Sequence, residues 1–469
     1  MASASQVQLS AKDSPGYLHV DNISEEAAQK ASDLLNENRE QYHAYLHGAG
    51  LHNHILHHLL AIYPLGASAA QLQAAYSLNA PGQRPKGDPS DAALAELSEL
   101  SIFRKRLGNE SYYAEYLKFF TDEISKHGVE ATLNRFCFCG DELAEDLFPR
   151  LFGGLLHPII HLGYGLEYNQ PSIVAEALAS AAIHVTFVEP ICFPAEKLAE
   201  QRRPDSNPSI MSLVSLLRND PVVITAISEE DTHNKLLTDL MPRAGAHVHD
   251  VISRYTVEPD RLQESLAEML NTAIYLTIAS QRPGKEIMFD FYLMHTANLA
   301  FFYPLFMSLS WLSTENKCRL LKWKVWLDLA VYASCKCPDL RLERVLQYQP
   351  EHEGGWDSIF VRAAAYQDDG HTAKLIRAIK MAEIVSRPYD GRPQFPMPTE
   401  AFLLAAHMVM DSVEQMCKPG YRRVAVDNYI PGIHEEVLRT VARWIRFCGT
   451  EIAWKNVPSL PSSTTPRGS

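Results

Sequence analysis

The sequence predicts a mainly α protein: one large, single, helical bundle-like domain with little or no sheet. Three observations carry this. Apolar residues recur at helical spacing through most of the 469 residues. Alternating strand patterns are scarce. No interior stretch rich in Gly, Ser or Pro separates independent units, although about 150 residues per domain would suggest roughly three. The predicted organisation is a flexible segment over 1–20, a helical domain over 21–456 and a disordered Ser/Thr/Pro-rich tail over 457–469.

Taken in order, Ser24–Leu46 reads as a helix entered at Ser24, with Glu25 and Glu26 favourable at the N-terminal dipole. His54–Tyr63 is a strongly apolar helix stopped by Pro64 and Gly66. Ser68 caps a helix to Leu78, and Tyr112–His127 is amphipathic, ending at Gly128. Helices are further predicted over Glu142–Glu167, Ser172–Ala182, Ser212–Leu217, Asn234–Leu240, Asp260–Ala279, Lys317–Cys335, Trp356–Ala365, Thr372–Val385, Thr399–Met416 and Ile433–Cys448. Pro221–Ile227 is the best strand-like run, although its apolar residues suit a buried helix equally.

A formal net charge of −13 argues against a concentrated phosphate-binding surface, so neither a nucleic acid nor an anionic membrane is an expected partner. Met1–Asp13 is polar and lacks the apolar core of a signal peptide, and no apolar run reaches the roughly 18–20 residues of a membrane span. A cytoplasmic location is the expectation. The eight cysteines lack C-x-x-C spacing and read as reduced, mostly buried thiols. Flavin and nicotinamide fingerprints are absent: Gly48/Gly50 and Gly163/Gly165 lack both the third glycine and a preceding strand. There is no phosphate-binding loop and no G-x-S-x-G elbow. These absences push any redox chemistry toward a metal.

Nineteen histidines point the same way. His52, His54, His57 and His58 open one apolar helix, and residues four apart share a face, so His54 and His58 can point together. His157 and His161 repeat that spacing; Pro158 stands where the zinc-protease pattern H-E-x-x-H needs Glu, which disfavours a metalloprotease. Pro158 is tolerable if His157 begins a helix. His295 lies in an apolar stretch, where a buried imidazole must be hydrogen-bonded or metal-bound. His371 begins a further helix, with Lys374 three residues on. Any one of these, and His52 and His57 in particular, reads most simply as a core residue. Four apolar segments each offering an imidazole suggest a shared metal such as iron, zinc, copper or nickel. Lys374 is either exposed, or paired with Asp368 or Asp369, or desolvated. If desolvated, its neutral amine can take up carbon dioxide and become an anionic carbamate ligand.

At four stretches the chain resembles the fungal questin oxidase-like family of polyketide-tailoring oxygenases: HNHILHHLLAIYPLGA (52–67), GGLLHPIIHLGYGLE (153–167), FDFYLMHTANLAFF (289–302) and DDGHTAKLIRA (368–378). The resemblance spans about residues 40 to 450. It implies oxidative cleavage of a C–C bond in an anthraquinone-type ring during secondary metabolism. The partners it implies are a small aromatic polyketide and dioxygen. The nearest members to this pattern hold non-haem Fe(II) through four histidines and a carboxylated lysine. Carried over, the lysine is Lys374 and the favoured histidines are His58, His161, His295 and His371, with His157 and His54 in reserve because spacing cannot choose within an i,i+4 pair. Tyr164 and Glu167 are placed to orient an imidazole. Phe291, Tyr292, Phe301, Phe302 and Tyr303 either line an apolar pocket for a flat substrate or form ordinary core. Two alternatives stay open: a flavin-free, NADPH-dependent Baeyer–Villiger-type monooxygenase, and a metal-dependent hydrolase of the HD type, for which His249–Asp250 is the one matching dipeptide.

Overall fold

The computed structural model describes residues 2–47, 51–202, 207–230, 234–415, 417 and 444–460. Helix dominates. Among the described residues the one sheet is the two-stranded antiparallel pair β1 (Tyr45–His47) and β2 (Leu51–His52), in keeping with a mainly α fold.

The helices in chain order are α1 (Glu25–Gln41), α2 (Ile55–Ile62), α3 (Ala69–Asn79), α4 (Asp91–Leu97), α5 (Leu100–Arg106), α6 (Tyr113–Leu133) and α7 (Glu142–Leu151). There follow α8 (Gly153–Glu167), α9 (Pro171–Ile183), α10 (Glu189–Gln201), α11 (Ile210–Asn219), α12 (Pro221–Ala226), α13 (Met241–Ile252) and α14 (Leu262–Ala279). The last are α15 (Phe291–Ala300), α16 (Tyr303–Ser308), α17 (Thr314–Ser334), α18 (Leu342–Leu346), α19 (Trp356–Ala365), α20 (His371–Ser386) and α21 (Thr399–Gln415).

Local sequence explains many boundaries. Ser24 caps α1 by accepting from Ala27 N–H, and Ser68 and Gln71 form a reciprocal capping box on α3. The strand-like run at 221–227 is helix α12, because Asp220 accepts from Val222 and Val223 N–H and Pro221 sits in the first turn. The single helix expected over Glu142–Glu167 is broken in two. Gly154, Leu155 and Leu156 all have positive φ (50°, 58° and 73°), a left-handed turn that separates α7 from the regular part of α8. α13 carries no expectation from the sequence. The helix expected over Ile433–Cys448 lies outside the described residues up to position 443.

Part of the segment 1–20, expected to be flexible, packs against the helices. Ala4, Val7 and Leu9 are buried. Val7 N–H donates to Asn36 Oδ1 (2.8 Å), Leu9 N–H to Ser32 Oγ (2.8 Å) and Gln8 N–H to Gln170 Oε1 (2.8 Å). Side-chain acceptors of α1 and of the α8–α9 turn thus satisfy a backbone that has no regular structure of its own. The expected tail also begins in packed structure: Val457 is buried and its carbonyl accepts from Lys285 Nζ, while residues 461–469 lie outside the described residues.

α2, α8, α15 and α20 run side by side through the core, α2 and α15 each packing on both α8 and α20. One ion pair locks this group at its far end: Arg377 of α20 is buried against Glu167 of α8, and the guanidinium also lies 4.0 Å from the Phe301 ring centroid. No helix among the described residues is long and apolar enough to cross a membrane.

Candidate metal centre

Each of the four core helices delivers one imidazole. His54 stands at the N-cap of α2 with ψ near 1°, just outside the helix. His157 opens the regular part of α8, directly after the left-handed turn, with Pro158 in the position where a missing N–H costs nothing. His295 lies in the second turn of α15, whose N-terminus is fixed by Asp290 accepting from Tyr292 and Leu293 N–H. His371 is the first residue of α20. Its entry is fixed by Asp368, which accepts from Gly370 N–H (2.6 Å), Thr372 N–H (3.0 Å) and Thr372 Oγ (2.7 Å).

The Nδ1 side of every ring is committed. His157 Nδ1–H donates to the Gly154 carbonyl (2.6 Å) and His295 Nδ1–H to the Phe291 carbonyl (2.6 Å). Asp369 serves the other two, accepting from His371 Nδ1–H at Oδ1 (2.6 Å) and from His54 Nδ1–H at Oδ2 (2.9 Å). A carbonyl or carboxylate acceptor puts the proton on Nδ1, so each Nε2 carries a lone pair. Those lone pairs face one another. His54 Nε2 and His157 Nε2 are 2.7 Å apart, and His371 Nε2 and His295 Nε2 are 3.1 Å apart. His54, His157 and His371 place their ligand atoms within 4.8 Å of one another.

Two opposed lone pairs at that distance repel unless a proton or a cation lies between them. Protonation is disfavoured. Burial holds the His157 and His295 imidazoles well below their ordinary range, and burial, reinforced by Lys374, brings His54 down to about 4. Burial likewise lowers His371, against the pull of Asp369. A first-row metal ion suits the space: two imidazole nitrogens bound at about 2.0–2.1 Å and subtending a right angle lie roughly 3 Å apart. The donor set therefore fits such a cation, with Asp369 as the carboxylate that fixes two of its ligands.

Lys374 lies one turn along α20 from His371 and is 4% exposed. Its ammonium is desolvated, which brings the pKa down from 10.5 to about 8 although Asp369 and Asp368 pull it up. A sizeable fraction of neutral amine is then present near neutral pH.

Within each i,i+4 pair it is the reserve histidine that faces the cluster. His58 turns away from the cluster: its Nε2 lies 3.9 Å from Asp368 Oδ1 and its Nδ1 3.5 Å from Asn79. His161 faces α9, with Nε2 3.6 Å from Glu176 Oε2. The reason is local. His54 precedes α2 rather than belonging to it, and His157 follows a left-handed turn, so the shared-face rule for a continuous helix does not choose the ligands. Tyr164 and Glu167 do not orient an imidazole of the centre either: Glu167 pairs with Arg377, and the Tyr164 ring packs on Phe302. Of the aromatic set, Phe291 borders the centre, with ring centroids 4.4 Å from His295 and 5.5 Å from His371. Phe301, Phe302 and Tyr303 are core.

The sequence reading missed three participants. In the sequence Asp369 shows itself only as a candidate partner for Lys374. His52 stacks on His157 at 3.8 Å between centroids, and its Nε2–H donates to His184 Nε2 (2.6 Å), since His184 spends its own Nδ1–H on the Ser180 carbonyl. A histidine alone in the sequence, as His184 is, carries no signal. The HD dipeptide is remote: His249 donates to the Pro190 carbonyl, and Asp250 pairs with Arg202 and Arg254.

Beside His157 lies a small cavity of about 20 Å³, bounded also by His52, His57, His161, Tyr113 and Glu176.

Known proteins share this chain's sequence along its length. The profile of the questin oxidase-like family matches residues 51–379. Oxidoreductase AflY of Aspergillus parasiticus is 39% identical over 464 residues, covering 97% of this chain and 94% of the relative. Baeyer–Villiger oxidase ptaJ of Pestalotiopsis fici and questin oxidase of Aspergillus fumigatus are each 35% identical, each over 88% of this chain and 94% of the relative. The chain is therefore an oxidative enzyme and belongs to the questin oxidase-like family.

Proposed function

We propose that this enzyme uses dioxygen and a non-haem Fe(II) to cleave a C–C bond in a hydroxyanthraquinone-type polyketide ring. The observation that supports it is the inward set of four Nε2 lone pairs, from His54, His157, His295 and His371, each fixed by a hydrogen bond at Nδ1. Iron in such a site supplies the one-electron steps that let triplet dioxygen react with a closed-shell organic molecule.

The chain's own residues do the rest. The histidines stay neutral through burial, so they offer lone pairs at any physiological pH. Asp369 holds the His54 and His371 rings in one tautomer. Lys374, with its pKa near 8, can add carbon dioxide, losing one proton from nitrogen to leave an N-carboxylate. That anion replaces a cation beside the centre and lowers its net charge. The apolar helix faces keep bulk water out, which strengthens each of these electrostatic effects.

A second reading rests on the names of relatives. Several are called Baeyer–Villiger oxidases, as ptaJ is. A flavin-free, NADPH-dependent monooxygenase at this pocket would need reductant. One experiment separates the readings: metal analysis of protein purified without added metal, followed by oxygen uptake with a hydroxyanthraquinone, with and without NADPH. One equivalent of iron and uptake without NADPH is expected, with iron lost in His371→Ala and Lys374→Ala. Zinc in the wild type, or strict dependence on NADPH, would overturn the proposal.

A further inference from the structure

Two glycines just before His157 make room for a pair of rings outside the metal centre. A Cβ on Gly153 would lie 2.8 Å from His184 Cβ, and one on Gly154 would lie 2.4 Å from His52 Cε1. The backbone that leads into His157 therefore runs directly against these two imidazoles. Their protons are accounted for. His184 Nδ1–H donates to the Ser180 carbonyl, which leaves a lone pair on its Nε2, and His52 Nε2–H fills it at 2.6 Å. The two ring planes are 4° apart, as an in-line N–H···N bond requires. Arg150 fixes the backbone here by donating to the His184 carbonyl. Both histidines are buried.

What the pair faces decides its role. His52 lies on the face of His157 with centroids 3.8 Å apart and planes 2° apart, the closest pair of aromatic rings among the described residues. Aromatic pairs ordinarily sit about 4.5–7 Å apart. His54 and His371 are oriented by the two oxygens of Asp369, but His157 has only the bond from Nδ1–H to the Gly154 carbonyl. One such bond fixes the tautomer and still lets the ring swing about it. A flat neighbour against the face removes that freedom and aims Nε2. A cation on Nε2 also draws electron density out of the His157 ring, so the π face of neutral His52 then attracts it.

We infer that His52 is a positioning residue of the metal centre: anchored by His184, it sets the ring plane of the ligand His157 by stacking on its face. This rests on the reading of the four imidazoles as a metal site, but not on the metal being iron.

The test uses Co(II) as the probe, because its visible absorption reports ligand geometry without turnover. Co(II) is titrated anaerobically into metal-free wild type, His52→Ala, His52→Phe, His184→Leu and His184→Gln, and the melting temperature of each metal-free protein is measured alongside. His52→Ala and His184→Leu should bind Co(II) about tenfold more weakly than wild type, the usual effect of losing a ligand's orienting partner, with shifted absorption bands. His184→Gln keeps an acceptor where Nε2 stands and should restore the wild-type spectrum. His52→Phe keeps a flat ring and should restore most of the affinity. Should His52→Ala misfold, the two His184 variants carry the same comparison. A lower melting temperature with Co(II) affinity within threefold of wild type and unshifted bands would overturn the inference, since packing alone would then explain the pair. Wild type that binds no Co(II) would instead overturn the metal-site reading itself, so the two failures are distinguishable.

Discussion

Asp369→Asn removes one negative charge and one acceptor, yet keeps shape and volume. In the native site the two carboxylate oxygens each accept an Nδ1–H, from His371 at 2.6 Å and from His54 at 2.9 Å. Asparagine offers one oxygen and one NH2. Whichever way the amide turns, it sets a donor against one of the two ring N–H groups. That ring must rotate or move its proton to Nε2, and either change removes a lone pair from the centre. A charge-assisted hydrogen bond contributes about 1.5–3 kcal/mol. Losing one therefore weakens metal binding by roughly 10- to 100-fold, which agrees with the usual effect of removing a ligand's orienting partner. The assay is competition for Fe(II) against a chelator of known affinity, at pH 7.5 and without oxygen, beside thermal melting of the metal-free protein. The expected result is weaker metal binding by at least tenfold. If wild type and variant bind iron within threefold of each other, Asp369 does not orient the ligands and the tautomer argument fails.

Three further outcomes follow from the packing. Gly370→Ala places a Cβ 2.6 Å from His58 Cα at a φ of +90°, so α2 and α20 are forced apart where both meet the candidate metal centre; a loss of about 2 kcal/mol or more is expected, seen as a lower melting temperature together with lost iron. Arg377→Met leaves Glu167 buried without its cation, which should cost about 3–5 kcal/mol; pairing it with Glu167→Gln should recover much of this, and additive losses in urea unfolding would contradict the coupling. Glu268 is buried, which raises its carboxyl from 4.5 to about 7. A raised folded-state pKa means the stability it confers is complete below about 4.5 and is lost as pH rises through about 7. Glu268→Gln should therefore be close to wild type near pH 5 and more stable than it at pH 8.5, by at most about 3 kcal/mol; a difference independent of pH in urea titrations would refute this.

Much of the architecture was legible. Helical periodicity, Ser24 and Ser68 as caps and the scarcity of alternating runs all describe short-range physics that a sequence carries directly. The errors fall where tertiary contacts outvote it. Residues 2–20 read as loose because they have no periodicity, but acceptors more than twenty residues away hold them. Gly154–Leu156 sit inside a helical pattern that no local signal interrupts beyond two glycines. The packing requires glycine at the turn, since a Cβ on Gly154 would meet the His52 and His184 rings at 2.4 and 2.5 Å.

Read alone, the sequence shows the helical class and the four segments that carry the histidines. Those follow from periodicity and from the cost of burying imidazoles in apolar stretches. Packing between the helices sets which imidazoles meet. His54 and His157 face His295 and His371, while His58 and His161 turn to Asp368 and Glu176, because two helix entries depart from ideal geometry. It also decided the role of Asp369, whose two oxygens reach rings 315 and 2 residues away. Spacing along a helix constrains directions within one element; convergence between elements depends on how their ends are turned and packed, and no single segment records that.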